Sequence, residues 1–226
     1  MIKNKPLLLD LYCGAGGSAM GYSRAGFDII GVDINRQPNY PFEFIQEDAL
    51  SYIGHNYSKF DVIHASPPCQ AYTRKNYNWG RSRTYHYDHP DLLEPTRNVL
   101  TEIGLPYVIE NLPEAPMKGS LTLCGTMFGL KIIKHRVFEA NWPLPFFVPI
   151  SCNHTDTYNP WKGQGRSAEK LREAQGTPWI PSSGGASRKE GRTGDLFNAI
   201  PPAYTQFIGE YLIKYLKEKS DSVLSR

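Results

Sequence analysis

The segment that most constrains the fold lies near the N-terminus. Leu7-Leu8-Leu9-Asp10-Leu11-Tyr12-Cys13 is an apolar, strand-like run, and it opens into Gly14-Ala15-Gly16-Gly17-Ser18-Ala19-Met20-Gly21. A strand that passes through glycines into a helix is the ligand-binding turn of Rossmann-like sheets, because glycine lets the backbone approach a ligand closely. A second strand-like run, Phe27 to Asp33, ends in an acid roughly 20 residues downstream, where a ribose-hydroxyl acceptor belongs. Asp48, in Gln46-Glu47-Asp48-Ala49-Leu50, is placed to accept from an adenine amino group. No Gly-Lys-Ser/Thr follows the glycines, which argues against a triphosphate loop. The expected ligand is a nucleoside that needs no strong phosphate clamp, and S-adenosylmethionine meets that description.

Strand and helix alternate through the first half: Leu7–Tyr12, a helix near Ser18–Ala25, Phe27–Asp33, Val62–Ala65, a helix near Asp91–Ile103, then Tyr107–Glu110. This alternation predicts an α/β fold, a parallel sheet with helices on both faces. Asp88-His89-Pro90-Asp91 reads as a loop into a helix start. Leu121–Cys124 and Arg136–Ala140 read as late strands. From Trp142 onward, prolines and glycines break any long element. Between Lys162 and Arg192 seven basic residues face three acids. That composition suggests a small insertion for reading nucleic acid, or else a surface excursion. Ala203–Lys219 reads as an amphipathic helix with Tyr204, Phe207, Ile208, Tyr211, Leu212 and Tyr215 on one stripe. Ser220–Arg226 is expected to fray.

The chemistry-bearing segment is Ser66-Pro67-Pro68-Cys69-Gln70, directly after the run Phe60 to Ala65. Two prolines fix the backbone ahead of Cys69 and hold the thiol on a stiff turn, the setting of a poised nucleophile. The alternative is a buried structural cysteine. Between Ala71 and Tyr87 stand Arg74, Lys75, Arg81 and Arg83 with no acid, interleaved with Tyr72, Tyr77, Trp79, Tyr85, His86 and Tyr87. This pattern suits a loop that closes over phosphates and an unstacked base.

Together these residues resemble the DNA cytosine-C5 methyltransferase family. Asp10 to Gly17 is similar to its Asp-Leu-Phe-x-Gly-x-Gly-Gly motif, with Tyr12 for Phe. Ser66 to Gln70 is similar to its Pro-Cys-Gln motif, and Val108-Ile109-Glu110-Asn111-Leu112 to Glu-Asn-Val. Lys134-His135-Arg136-Val137-Phe138 resembles Gln-x-Arg-x-Arg, with Ile132 in the glutamine's place, Lys134 in the first arginine's and only Arg136 kept as arginine. Phe197-Asn198-Ala199-Ile200-Pro201-Pro202-Ala203 is similar to Gly-Asn-x-Val-x-Pro, with Phe197 for Gly. The five stand in the family's order from residue 10 to 203, and the short chain looks like phage- or prophage-encoded members. The resemblance implies a Rossmann-like catalytic domain over 1–141 and 194–226, with a target-recognition region over 142–193. It implies Cys69 as nucleophile at carbon 6, Glu110 as acid at ring N3 and Arg136 at O2. The S-adenosylmethionine contacts it implies are Asp10, Tyr12, Gly14, Gly16, Gly17, Asp33, Ile34, Asp48, Ala49, Pro67 and Asn198, the last equally readable as a helix cap. Gln70, Arg74, Lys75, Arg81, Arg83, Arg166 and Arg188 would contact double-stranded DNA. A basic loop and the surroundings of Cys69 are expected to favour its thiolate. An RNA cytosine-C5 methyltransferase and an inactive DNA-binding relative are the rivals. Methylation of a ring amino group would call for an aromatic residue where Cys69 stands.

The net charge of +3 permits nucleic-acid binding without proving it. Cys13, Cys69, Cys124 and Cys152 show no regular spacing, and no run is long enough to span a bilayer. A reduced cytoplasm, free thiols and a monomer are expected. Cys152-Asn153-His154 invites a zinc reading, but two ligands do not make a tetrahedral site and no second pair is evident. No metal is therefore expected.

Overall fold

A computed structural model of the chain describes residues 5–73, 90–145, 151–155, 157, 167–181 and 194–224. Its seven strands are β1 (Leu7–Leu11), β2 (Asp28–Asp33), β3 (Glu43–Gln46), β4 (Val62–Ala65), β5 (Tyr107–Asn111), β6 (Leu121–Leu123) and β7 (Arg136–Ala140). Its helices are α1 (Gly17–Ala25), α2 (Ala49–Asn56), α3 (Gln70–Thr73), α4 (Leu93–Ile103), α5 (Ala168–Gln175), α6 (Gly194–Asn198) and α7 (Pro202–Leu224). The sheet order is β3-β2-β1-β4-β5-β7-β6. The first five strands are mutually parallel, as expected. β7 runs antiparallel to both β5 and β6, so the sheet is mixed rather than wholly parallel.

Alternating side chains of the central strands fill two cores, one on each face. Leu8, Val62 and Val108 pack with Tyr22, Tyr204, Ile208 and Leu212 beneath α1 and α7. Leu9, Ile63 and Ile109 pack with Tyr52, Ile53, Leu93 and Leu100 beneath α2 and α4. Gly21 sets the close approach of α1 to α7: a Cβ there would lie 2.0 Å from Thr205 Oγ1 and 2.2 Å from the Pro202 carbonyl oxygen. Arg97 of α4 and Glu139 of β7 form a buried two-bond ion pair, at 2.6 and 2.8 Å, that ties the helix to the antiparallel strand. Glu139 also accepts from the Lys118 N–H at 2.7 Å.

Several elements differ from the sequence reading. β3 and α2 occupy a stretch to which the sequence reading assigns no element; both are short, and α2 is only 8 residues long. α5 forms inside the Pro/Gly-rich region because the stretch from Arg166 to Gln175 lacks both residue types. Ser167 caps α5 by accepting from Lys170 N, and Gly176 ends it in the left-handed conformation. α5 then joins the body of the protein, since Leu171 and Ile180 pack with Ala15, Leu196 and Ala199. α7 runs on to Leu224, so residues 220–224 continue the helix instead of fraying. On its stripe Tyr204, Ile208 and Leu212 are buried, whereas Tyr211 is exposed. Tyr72 is a core residue, not a loop aromatic: it is buried on α3, and its hydroxyl donates to Asp91. Among the described residues, no helix is long and apolar enough to cross a membrane.

Candidate active site

In an open α/β sheet the ligand crevice opens at the carboxyl ends of the strands where their order reverses. Here that point is β1, flanked by β2 and β4. A cavity of about 350 Å³ lies there, within the ordinary range for a small-molecule site. Two halves meet in it. Asp10, Tyr12, Gly14, Gly17, Asp33 and Ile34 line one, and Pro67, Cys69, Gln70, Glu110 and Arg136 line the other, with Asn198 also contributing.

In the first half, β1 ends in a turn with Tyr12 at φ 57° and Gly14 at φ 47°. The Tyr12 hydroxyl, 2.9 Å from Thr96 Oγ1, helps hold this strained backbone against α4. Asp33 accepts from the backbone N–H groups of Gly14, at 3.1 Å, and of Asn35, at 2.8 Å, so it builds the turn as well as facing the cavity. Asp10 is buried; its Oδ2 accepts from the Tyr40 hydroxyl at 3.1 Å. Its Oδ1 is a buried acceptor with no hydrogen-bond partner among the described residues. Burial holds the Asp10 carboxyl well above the usual range, aided by the nearby charge of Asp33. Ile34 is 65% exposed, an uncovered apolar face beside Asp33.

Three expected contacts fall outside the cavity wall. Gly16 begins α1 in the left-handed conformation, and its Cα faces Tyr40 and Pro41. Asp48 caps α2, its Oδ1 accepting from Ser51 N at 2.9 Å. Ala49 is buried in the core beneath α2.

In the second half, Asn111 clamps the proline turn: its Nδ2 donates to the Pro67 carbonyl at 3.2 Å, while its Oδ1 accepts from Leu112 N. Glu110 and Arg136 form a buried ion pair, Nε to Oε1 3.0 Å. Burial pushes the Glu110 carboxyl up, against the opposing pull of Arg136, of a hydrogen bond from Ser66 and of Lys134. Behind Glu110, Ser66 Oγ lies 3.0 Å from His64 Nε2, whose Nδ1 lies 3.2 Å from the Tyr22 hydroxyl. Burial lowers the His64 pKa to about 3, so the imidazole is neutral and the chain Tyr22–His64–Ser66–Glu110 orients the carboxyl.

The Cys69 thiol does not match expectation. Burial and the charge of Glu110 push its pKa up, and Arg136 and Lys134 only partly oppose them. The expected thiolate is therefore not favoured by the described surroundings, because desolvation outweighs the cations. The basic residues Arg74, Lys75, Arg81, Arg83, Arg166 and Arg188 lie outside the described residues, as do Asp88 and His89.

Lys134 and Asp195 escaped the sequence reading as positioned groups. Lys134 is fully enclosed; its Nζ donates to Gln175 Oε1 (3.1 Å) and to the carbonyls of Phe197 (2.8 Å) and Ala199. It thus draws the segment carrying Asn198 onto the sheet. Asn198 ends α6 and lines the cavity. Asp195, one turn earlier, also lines it, and burial raises its carboxyl. Trp179 Nε1 donates to the Ala15 carbonyl at 2.9 Å, anchoring the segment after α5 on the glycine turn.

The expectation that Cys152 and His154 lack a second pair is corrected. The antiparallel register pairs Leu123 with Arg136, so Cys124 and His135 stand at the next position of the same hairpin. All four ligand atoms lie within 4.8 Å of one another.

The fold, a mixed seven-stranded α/β sheet, matches Rossmann-like, S-adenosylmethionine-dependent methyltransferase structures. No protein-family model matches the chain. It is similar to the protein designated type II methyltransferase M.OihORF3336P of Oceanobacillus iheyensis, 26% identical over 172 residues, which is 62% of this chain and 35% of that protein. It is also similar to type II methyltransferase M.FnuDI of Fusobacterium nucleatum, 33% identical over 73 residues, 29% of this chain and 21% of that protein. The chain thus spans about a third or less of the length of these curated relatives. Among solved structures, S. pombe Dnmt2 methyltransferase superposes with a TM-score of 0.62 at 11% identity, covering 94% of this chain and 99% of that one. Entamoeba histolytica methyltransferase EhMeth gives 0.56 at 13% identity, covering 96% and 99%. At such identities the likeness is one of fold.

Proposed function

We propose that the chain is a methyltransferase that uses S-adenosylmethionine to methylate carbon 5 of a cytosine flipped out of double-stranded DNA. The observation that carries this reading is the joining, in one cavity, of Cys69, Glu110 and Arg136 with the crevice of Asp10 and Asp33. The crevice fits the cofactor by its own chemistry: an orphaned buried oxygen on Asp10, open backbone at Gly14, and the exposed apolar face of Ile34. When bound, S-adenosylmethionine would supply an electrophilic methyl group.

Carbon 5 of cytosine is too weak a nucleophile to take a methyl group unaided. Cys69 Sγ adds to carbon 6, and the ring's electron pair moves toward carbon 5 and N3. Glu110, whose proton affinity burial raises, gives a proton to N3 and reads the 4-amino group. Arg136, already beside Glu110, donates a charged hydrogen bond to O2. A protonated Glu110 removes one of the two influences that raise the Cys69 pKa, leaving burial opposed by Arg136 and Lys134. Once carbon 5 carries the methyl group, loss of its proton forms the carbon 5–carbon 6 double bond and expels Cys69 as thiolate, while N3 returns its proton to Glu110 and the ring is restored. The target atom is unreachable inside a duplex, so the base must be flipped into the cavity. The region 142–193 and the basic residues of 74–83 are assigned to holding the DNA.

Bisulfite sequencing of DNA from cells expressing the chain tests base, position and substrate together. Protected cytosines in a fixed sequence context support the proposal. Unprotected DNA alongside methylated tRNA would transfer the assignment to RNA, and loss of both signals would refute it.

A further inference from the structure

Four side chains from separate stretches of the chain meet beside β6, at the edge of the sheet and outside the cavity wall. Cys124 follows β6, His135 precedes β7, and Cys152 and His154 lie in the segment after β7. Cys152 Sγ is 3.4 Å from His135 Nε2, and Cys124 Sγ is 3.6 Å from His154 Nε2. Zinc–sulfur bonds of about 2.3 Å and zinc–nitrogen bonds of about 2.0–2.1 Å at tetrahedral angles give sulfur–nitrogen edges of about 3.5 Å. Two edges of the tetrahedron therefore already stand near that length. A third, Cys152 Sγ to His154 Nε2, is 2.6 Å. It must open by about 1 Å to admit the ion, a movement available to His154, which is exposed.

The surroundings suit thiolate ligands. Both cysteines are free rather than joined as a disulfide. Thr126 Oγ1 donates to Cys124 Sγ at 3.4 Å and itself accepts from Asn153 N at 3.2 Å. A hydroxyl donating to a sulfur is the outer-shell contact that steadies a metal-bound thiolate. Two sulfurs and two imidazoles, with no carboxylate among them, select zinc over magnesium or calcium.

We propose that Cys124, His135, Cys152 and His154 form a structural zinc site. Four protein ligands close the coordination sphere and leave no position for a reacting water, so the role is to hold chain segments together. The ion would staple residues 152–154 to the β6–β7 hairpin. It would also fix His135, whose carbonyl accepts from Arg136 Nη1 at 2.8 Å, and so seat the guanidinium that faces the cavity.

The test is metal analysis of the full chain, purified without a histidine tag from zinc-supplemented cells and dialysed against a weak chelator. The expected result is one zinc per chain, with cysteine reactivity showing Cys124 and Cys152 protected until a strong chelator is added. Cys152→Ser and His154→Ala alter the outer side of the cluster. Each should lose the metal while keeping the circular dichroism of the helices. Cobalt(II) provides a readout that needs no variant: refilling the metal-free wild type should give intense visible bands and a thiolate-to-cobalt charge-transfer band. Zinc-free wild type, full zinc retention in Cys152→Ser, or only the weak absorption of six-coordinate cobalt would each overturn the proposal. So would a Cys124–Cys152 disulfide in protein purified under reducing conditions.

Discussion

His64 makes the polar chain behind Glu110 sensitive to acid. Fully buried, it is held neutral, its pKa lowered by burial from the ordinary 6.5 to about 3. A histidine whose folded pKa lies below its unfolded value stabilises the fold above the unfolded pKa. That stability is withdrawn as pH falls through the window from 6.5 toward 3, because only the unfolded chain takes the proton. At about 1.4 kcal/mol per pH unit, His64 alone should cost about 2 kcal/mol of folding stability by pH 5. The perturbation is His64→Gln, which keeps a polar partner for Ser66 but cannot titrate. Urea unfolding of both proteins at pH 8 and pH 5 isolates the histidine, since all other titrating groups are shared. The wild type should lose about 2 kcal/mol more than the variant between the two pH values. Parallel losses, equal to within about 0.5 kcal/mol, would show that His64 is not held neutral in the fold.

Glu139→Ala strands Arg97 inside the protein with only Glu94 and the Pro116 carbonyl as partners. It should cost about 3 kcal/mol and lower Tm by roughly 6–12 °C in calorimetry, with the double change to leucines recovering much of the loss. Asp33→Ala removes the acceptor for two backbone N–H groups of the crevice, and S-adenosylmethionine affinity measured by titration calorimetry should fall by about 1.5–3 kcal/mol. Unchanged affinity would make Asp33 a strand-end residue only. Cys69→Ser should abolish methyl incorporation while leaving cofactor affinity nearly intact, and retained turnover would remove Cys69 from the mechanism.

The gathering of Cys69, Glu110 and Arg136 in one half of the cavity was legible because they sit at strand ends whose apolar runs are unambiguous. Cys69 follows β4, Glu110 lies in β5 and Arg136 opens β7. What sequence could not show was the work those groups share with their neighbours. Asp48 reads as a ligand contact, and its second task, capping α2 through Oδ1, shows only once the helix is seen to begin there. Lys134 reads as a surrogate arginine, yet tertiary packing turns it toward three backbone and side-chain oxygens around Asn198. The sign of the Cys69 shift depends on burial weighed against two cations, a balance set by contacts and not by spacing. The four-ligand cluster was hidden because Cys124 and His135 become neighbours only through hairpin register, while composition advertised only Cys152 and His154.

The central claim, covalent methylation at cytosine carbon 5, is tested most directly with duplex DNA containing 5-fluorocytosine at target positions. Cys69 adds to carbon 6, and carbon 5 then holds both the methyl group and a fluorine that cannot leave as a proton does. Elimination stalls, and a protein–DNA adduct should survive denaturing electrophoresis. It should require S-adenosylmethionine, slow sharply in Glu110→Gln and vanish in Cys69→Ser. A wild-type protein that methylates unmodified DNA yet forms no adduct would contradict the account and point instead to direct transfer onto a ring amino group.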